Sequence, residues 1–331
     1  MKLLITGICG FAGSTLALRL READPAIEIT GVDNFMRPGS ELNRAKLRAA
    51  GVRVHHADLR IAGDLESLPA VDCVLDAAAN PSVLAGTGHA GSSRLLMQHN
   101  LTGTINMLEF CKTHHAAFIL LSTSRVYSIP PLAAMKLEVH RGAFRPVPGQ
   151  EWPQGLGPEG ISEQFSTASP VSLYGATKIC SEALALEYGA TFGFPVWINS
   201  CASRRPLRYI GFGGQGHQVR DCIHPADLVE VLARQMKTIP AAGRAVTNFS
   251  GGVLNSMSLR QLHAWCVARF GPHDVAGSSE DRPFDVPWMV LDSSLASTRF
   301  GWKPSRSLHD ILEEIALHAE QNPDWLDSTA S

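Results

Sequence analysis

The sequence has no run of basic residues. Lysine and arginine number 29 against 31 aspartates and glutamates, a net charge of −2. The densest basic group is Arg204, Arg205 and Arg208. Such a chain offers no electrostatic footprint for a nucleic acid or an anionic membrane. Metal-ligand spacings are missing too, since neither CxxC nor HExxH occurs. His55 and His56 are adjacent, as are His114 and His115, so neither pair turns both rings to one side of a strand or helix. No metal site is expected. No apolar run reaches the length of a membrane span or a signal-peptide core, which points to the cytoplasm. Internal repeats and low-complexity tracts are lacking. The 7 cysteines are odd in number, scattered and mostly set in apolar stretches. They read as buried free thiols in a reducing compartment.

What remains is 331 residues, 45% hydrophobic and 18% charged, enough to bury a sizeable core. Short apolar runs at Lys2–Thr6, Glu28–Asp33, 52–57, 73–77, 118–122 and 196–199 read as strands, several nearly continuous in valine, isoleucine and leucine. Helical periodicity fills 11–22, 92–114 and 172–188 between them. This alternation predicts an α/β fold, a Rossmann-type doubly wound parallel sheet with a smaller C-terminal α/β domain for substrate. The dinucleotide half is expected over 1–200 plus about 218–250, the substrate half over 201–217 and 251–331. In the last third, 226–237 is amphipathic and 245–249 is a short strand. Ser258 and Gln261 are spaced as a capping box opening a helix through Arg269. Asp292 is placed to cap another helix, and a final one starts at Ser307. The segment 128–170 is long for a connection; a lid over the substrate or a surface excursion would account for it.

Gly7, Gly10 and Gly13 follow the first strand and open the first helix. The spacing is GxxGxxG, one residue longer in its first gap than GxGxxG. Such glycines permit a tight turn, close approach of backbone to a pyrophosphate, and close packing of helix on sheet. The helix start, with Phe11 and Ala12, then turns unpaired N–H groups toward the phosphates. Asp33 ends the second strand, about twenty residues on, and is followed by Asn34. A carboxylate there accepts the adenosine ribose hydroxyls and repels a 2′-phosphate, so NAD is expected rather than NADP. Asp58 and Leu59 are placed to bracket the adenine. Ala77, Ala78 and Ala79 would let backbone approach the cofactor.

Tyr174 and Lys178 stand four apart at a helix start and so share a face. An ammonium beside a phenol favours phenolate, drawing the tyrosine pKa down from about 10. Ser122, Thr123 and Ser124, at the end of a strand, supply hydroxyls. With the glycine turn, these residues make the chain resemble the extended short-chain dehydrogenase/reductases, the family of NAD-dependent sugar-nucleotide epimerases and dehydratases. Asn100, the stretches 122–127, 218–221 and 282–287, and His224 belong to the same resemblance, which spans nearly the whole chain. Within the family, 123–127 and 206–221 look most like CDP-paratose 2-epimerase-like members.

The resemblance implies that Tyr174 transfers the proton and that Lys178 supports it and binds the ribose. Thr123 would hydrogen-bond the reacting hydroxyl, with Ser122 or Ser124 lining the site. Asn100 and Ser122 would lie beside the cofactor. Ser124, Arg125, Asn199, Arg220 and Arg282 would face the substrate, the last two on its diphosphate, a task suited to the guanidinium fork. An ion pair between Arg220 and Asp221 is the competing reading. Family 4,6-dehydratases carry an Asp-Glu pair after the threonine, and decarboxylating relatives a glutamate just before the Val-Tyr. Here Ser124 and Arg125 stand there, which leaves epimerisation: transient oxidation to a keto-sugar and re-reduction on the opposite face. The substrate would be a nucleotide sugar, CDP- or UDP-linked. A homodimer paired through helices like 92–114 and 172–188 is implied as well.

One departure stands out. Relatives continue after the sixth strand with a Tyr-Gly-Pro-like loop and a helix, whereas Asn199 leads directly to Ser203 and Pro206 here, roughly two dozen residues short. Either the substrate loop is genuinely deleted or the sequence lacks a segment of the natural protein. The deletion would suit an NAD-binding sensor or scaffold without turnover. A simple carbonyl reductase is the third alternative.

Overall fold

A computed structural model describes residues 1–86, 92–201, 209–238, 246–278, 280 and 282–323. The strands form where the apolar runs fall: β1 (Lys2–Thr6), β2 (Glu28–Asp33), β3 (Arg53–His56), β4 (Cys73–Asp76), β5 (Ala117–Thr123), β6 (Val196–Cys201) and β7 (Val246–Asn248). They make one sheet in the order β7-β6-β5-β4-β1-β2-β3, parallel at every pairing. The order reverses between β1 and β4, and the crevice beyond the strand ends there is where such sheets bind ligands.

Both faces are covered, which explains the lack of polar alternation. Helix α1 (Phe11–Ala23) buries Leu16, Ala17 and Leu20 against Leu3, Ile5 and Ile29 on one side. On the other, α2 (Gly103–His114) and α3 (Leu173–Phe192) pack on Leu4, Val74, Phe118 and Ile198, α2 through Met107 and Leu108 and α3 through Ala185. The helix expected over 92–114 is interrupted: Ser93–Met97 runs through a π-helical turn, Gln98–Thr102, into α2. Such turns often mark functional positions, and Asn100 lies in this one.

Val219–Asp221, grouped by sequence with the dinucleotide half, instead centres a second small sheet. It pairs antiparallel with Ser256–Ser258 and parallel with Trp288–Met289. Helix α4 (Val229–Lys237) stays with the main sheet through Val231 and Leu232. The capping box forms, Ser258 Oγ accepting from Gln261 N at 3.0 Å and Gln261 Oε1 from Ser258 N at 2.9 Å. The helix Ser294–Phe300 has Ser293 at its N-cap, and Asp292, one residue earlier than a cap, accepts from Ser294 N at 2.8 Å. Leu308–Gln321 starts on Ser307 with a second capping box through Asp310.

The segment 128–170, for which the sequence suggested a lid or a surface excursion, packs its apolar side chains into a core of its own with the C-terminal third. Leu132, Leu156, Ile161 and Phe165 are buried with Val219, Val286 and Trp288. Ile161 exchanges backbone hydrogen bonds of 2.9 Å with Val290 and Asp292. A segment sharing a core in this way would have to tear it to open.

Of the thiols, Cys9, Cys73, Cys111 and Cys222 are buried, but Cys180 is exposed, being on the outward face of α3. Among the described residues no helix is long and apolar enough to cross a membrane, and no group of three or more His, Cys, Asp or Glu side chains could hold a metal.

Candidate active site

The glycine turn closes over the end of β4. Gly7 sits at φ +59°, and a Cβ there would lie 2.9 Å from Ala78 Cα. A Cβ on Gly13 would lie 2.3 Å from the Gly7 carbonyl, so the first turn of α1 can approach only without one. Gly10 donates to Gly7 O at 3.0 Å and caps α1 with no side chain. The first amides of the helix, at Phe11, Ala12 and Gly13, therefore face the mouth of the turn without a side-chain acceptor. Thr6 locks β1 to β4: its hydroxyl donates to Asp76 at 2.6 Å and accepts from the amides of Ala77 and Ala78, both at 3.0 Å. Those two amides are thus spent internally. What Ala77 and Ala78 offer is small bulk, and Ala79 follows half-buried.

Asp33 reaches the same turn, its carboxylate accepting from Cys9 N at 3.0 Å and Phe35 N at 2.9 Å. Asn34 donates to Asp58 at 3.3 Å. Asp58 is chelated by Arg60, whose hydrogen bonds hold the carboxyl down at about 2. Leu59 lies under α2, where a Cβ on Gly103 would come within 3.2 Å of Leu59 Cβ. A carboxylate at the end of β2, a glycine cradle and an uncapped helix start are the donor set a dinucleotide requires, and these residues fit NAD.

Asn100 is fully engaged. Its oxygen accepts from Asn80 N at 2.8 Å, and its amide donates to Asn80 O at 3.1 Å and Thr177 Oγ1 at 3.2 Å. It ties the loop after β4 to α3 and so acts on the cleft through the elements it joins.

Helix α3 brings Tyr174 and Lys178 to the end of β5. Ser172 opens it at φ +82°, its hydroxyl accepting from Gly175 N at 3.1 Å. A Cβ on Gly175 would sit 2.3 Å from the Arg125 carbonyl, so the helix start rests directly on the turn Ser124–Val126. Tyr174, Thr123, Ser122 and Ser124 are all buried there. Lys178, 2% exposed, donates to Leu121 O at 3.0 Å. Burial lowers its pKa, opposed by the charges of Asp76 and Glu182. Ser122 Oγ donates to Glu182 in a short hydrogen bond.

Three guanidiniums converge beside this pair. Arg125 donates to Phe284 O at 3.3 Å and lies 3.7 Å from Asp285. Arg220 is hydrogen-bonded to Asp285 and to Val219 O, not to Asp221 as the competing reading held. Burial pushes Arg125 down to about 10, with Arg220 and Arg282 adding to the fall and Asp285 and Tyr174 opposing it. Arg125 and Arg220 share Asp285, and Arg282 adds its charge close to Arg125; cations gathered in this way favour an anion. Asn199 is elsewhere. It is fully buried and pairs both ends of its amide with Gln235 of α4, at 3.1 Å each way. The strand turns it away from the cleft, so it cannot contact substrate from there. The shortened stretch Ala202 to Arg208 lies outside the described residues.

The sequence reading missed Asp285, Gly175, Asp76 and Glu182. Only Glu182 carried a signal, since it continues the four-residue spacing of Tyr174 and Lys178.

A parallel sheet of this order with a glycine cradle and a tyrosine–lysine helix defines a dinucleotide-binding enzyme fold. Residues 3–204 match the NAD dependent epimerase/dehydratase family, and the chain belongs to that family; NAD is its cofactor. CDP-paratose 2-epimerase of Salmonella typhi is 25% identical over 95% of this chain and 98% of its own length. A dTDP-glucose 4,6-dehydratase of Actinoplanes sp. is also 25% identical, over 98% of this chain and 99% of its own. Among solved structures, UDP-glucuronic acid 4-epimerase from Bacillus cereus, in complex with UDP-glucuronic acid and NAD, superposes with a TM-score of 0.75 at 23% identity, covering 97% of this chain and 99% of that one. UDP-glucose 4-epimerase from Bifidobacterium longum, with NAD+ and UDP, gives 0.76 at 18% identity, covering 98% of this chain and 100% of that one. These likenesses establish a shared fold.

Proposed function

We propose that this chain epimerises a nucleotide-diphosphate sugar through a transient keto-sugar. The observation that carries this reading is the convergence of Tyr174 and Thr123 with Arg125, Arg220 and Arg282, while no carboxylate occupies positions 124 and 125. Elimination of water needs a separate acid and base beside the threonine, and this turn has neither.

The two ends of the site divide the work. Arg220 and Arg282 hold the diphosphate by charge-assisted hydrogen bonds, and Asp285 keeps Arg220 aimed. Arg125, between them and Tyr174, meets the sugar together with Ser124. Thr123 hydrogen-bonds the reacting hydroxyl, and Tyr174 takes its proton and later returns it. Lys178, whose charge is desolvated, favours the phenolate. NAD, held by the glycine turn and Asp33, supplies the redox chemistry at the same carbon when bound. The wall of 128–170 limits access of water to that carbon. Two copies pair through α2 and α3.

The reading is tested by incubating the purified protein with CDP- and UDP-linked sugars and following products by NMR. Epimer formation without net NADH accumulation is expected. Net NADH consumption by a ketone would mark a carbonyl reductase instead. NAD binding with no product from any sugar would favour the sensor or scaffold, the reading that the short stretch after Asn199 suggests.

Asp33 gives a separate expectation. Asp33→Asn keeps an oxygen for only one of the Cys9 and Phe35 amides and removes the charge. NAD affinity should fall about tenfold, the scale of a lost charged hydrogen bond, and the preference over NADP should narrow. Calorimetric titration with both dinucleotides measures this; an unchanged NAD/NADP ratio would remove Asp33 from the ribose.

A further inference from the structure

We propose that Glu182 is a positioning residue for the Tyr174–Lys178 pair, its charge setting how strongly the buried ammonium acts on the phenol. This rests on the reading of Tyr174 as the proton-transferring group. Tyr174, Lys178 and Glu182 follow one another at four-residue spacing along one face of α3, and all three are buried. Glu182 accepts the hydrogen bond of Ser122, the residue before Thr123 on β5. It therefore joins the helix that carries the tyrosine to the strand that carries the threonine.

Several charged or titratable groups face this carboxyl. Lys178 lies on its own helix, and Asp76 of β4 acts on the same ammonium, held in place by Thr6 and Thr104. From the far side comes Tyr127, which also feels Glu163 of the wall. The Ser122 hydroxyl completes the set. Burial lifts the Glu182 carboxyl to about 7, against the pull of Ser122 and Lys178, so its charge changes near neutral pH. While Glu182 is neutral, the ammonium's field falls on the phenol undivided, apart from Asp76. Once Glu182 ionises, a negative charge joins the same pocket and makes phenolate harder to form. The two ionisations oppose each other.

The test reads Tyr174 directly, by phenolate ultraviolet absorbance of the NAD-loaded protein, as the difference between each protein and its Tyr174→Phe counterpart. Glu182→Gln keeps an amide oxygen for Ser122, so a purely structural role predicts no change. The proposal predicts a Tyr174 midpoint about one pH unit lower, the scale of one charge at roughly 10 Å in a protein interior. Ser122→Ala provides a second variant. Removing its hydrogen bond raises the Glu182 pKa further, keeps that group neutral to higher pH, and should shift Tyr174 the same way. In turnover, the wild-type kcat profile should show an inflection near neutrality that Glu182→Gln lacks. A Tyr174 that titrates identically, or not at all, in wild type and variants overturns the proposal. The titration needs no substrate, so it stands even if no sugar is turned over. Conversely, epimerisation with coincident titrations would leave the function standing and remove Glu182 from it.

Discussion

Replacing Tyr174 with phenylalanine is expected to reduce epimerisation by a factor of about 10² to 10⁴, the contribution of a positioned acid–base group, while NAD remains bound. The phenol is buried on the helix that packs on the end of β5, within the field of Arg125. No other residue in this turn offers a group that ionises readily next to the threonine, since Ser124 is an alcohol and Arg125 a cation. Phenylalanine keeps the ring volume, so packing of α3 should survive and the melting temperature should hardly move. The loss should fall on kcat, because the arginines proposed to bind the diphosphate are untouched. Steady-state kinetics with the sugar found by NMR, alongside an NAD titration, checks this. A variant retaining a third of wild-type kcat would remove Tyr174 from the chemistry.

The second large effect comes from a residue with no reactive group. Gly175→Ala should lower kcat by about a hundredfold, the scale of a misplacement near 1 Å, and cost about 1–3 kcal/mol of stability through overpacking. The added methyl would lie 2.3 Å from the Arg125 carbonyl and 3.2 Å from Val171 Cβ. The first of these is backbone and cannot swing aside. Either α3 retreats, carrying Tyr174 with it, or the turn 124–126 moves and takes Thr123 and Arg125 along. Both separate the phenol from the threonine. The added methyl meets none of the residues of the glycine turn, so NAD affinity should weaken less than turnover, through Lys178 alone. Parallel measurement of kcat and NAD binding distinguishes displacement from general unfolding, in which both would fail together.

Much of the frame was legible because its signals are local. Continuous apolar runs announce strands buried on both faces, and seven parallel strands formed where they fell, with shifts of a residue or two at their ends. Asn199 shows where such reading fails. A strand alternates faces at every residue, and only the packed sheet reveals that Trp197 and Asn199 point toward α4 while Ile198 points to the other layer. The wall of 128–170 was equally hidden, since its apolar residues find their partners at 219 and 286–291.

The sequence by itself determined the features that neighbours along the chain can encode: the order of strands and helices, the glycine spacing after β1, the acidic end of β2, and the four-residue step from Tyr174 to Lys178. Tertiary structure decided what lies between distant segments. Asp285 gathers Arg220 from 65 residues away, and Arg125 reaches the neighbouring Phe284 across 159. Gly175 matters only because another backbone passes over it. The reason is physical: periodicity and turn chemistry act over a few residues, whereas a buried charge takes its energy from whichever opposite charge the completed fold places beside it.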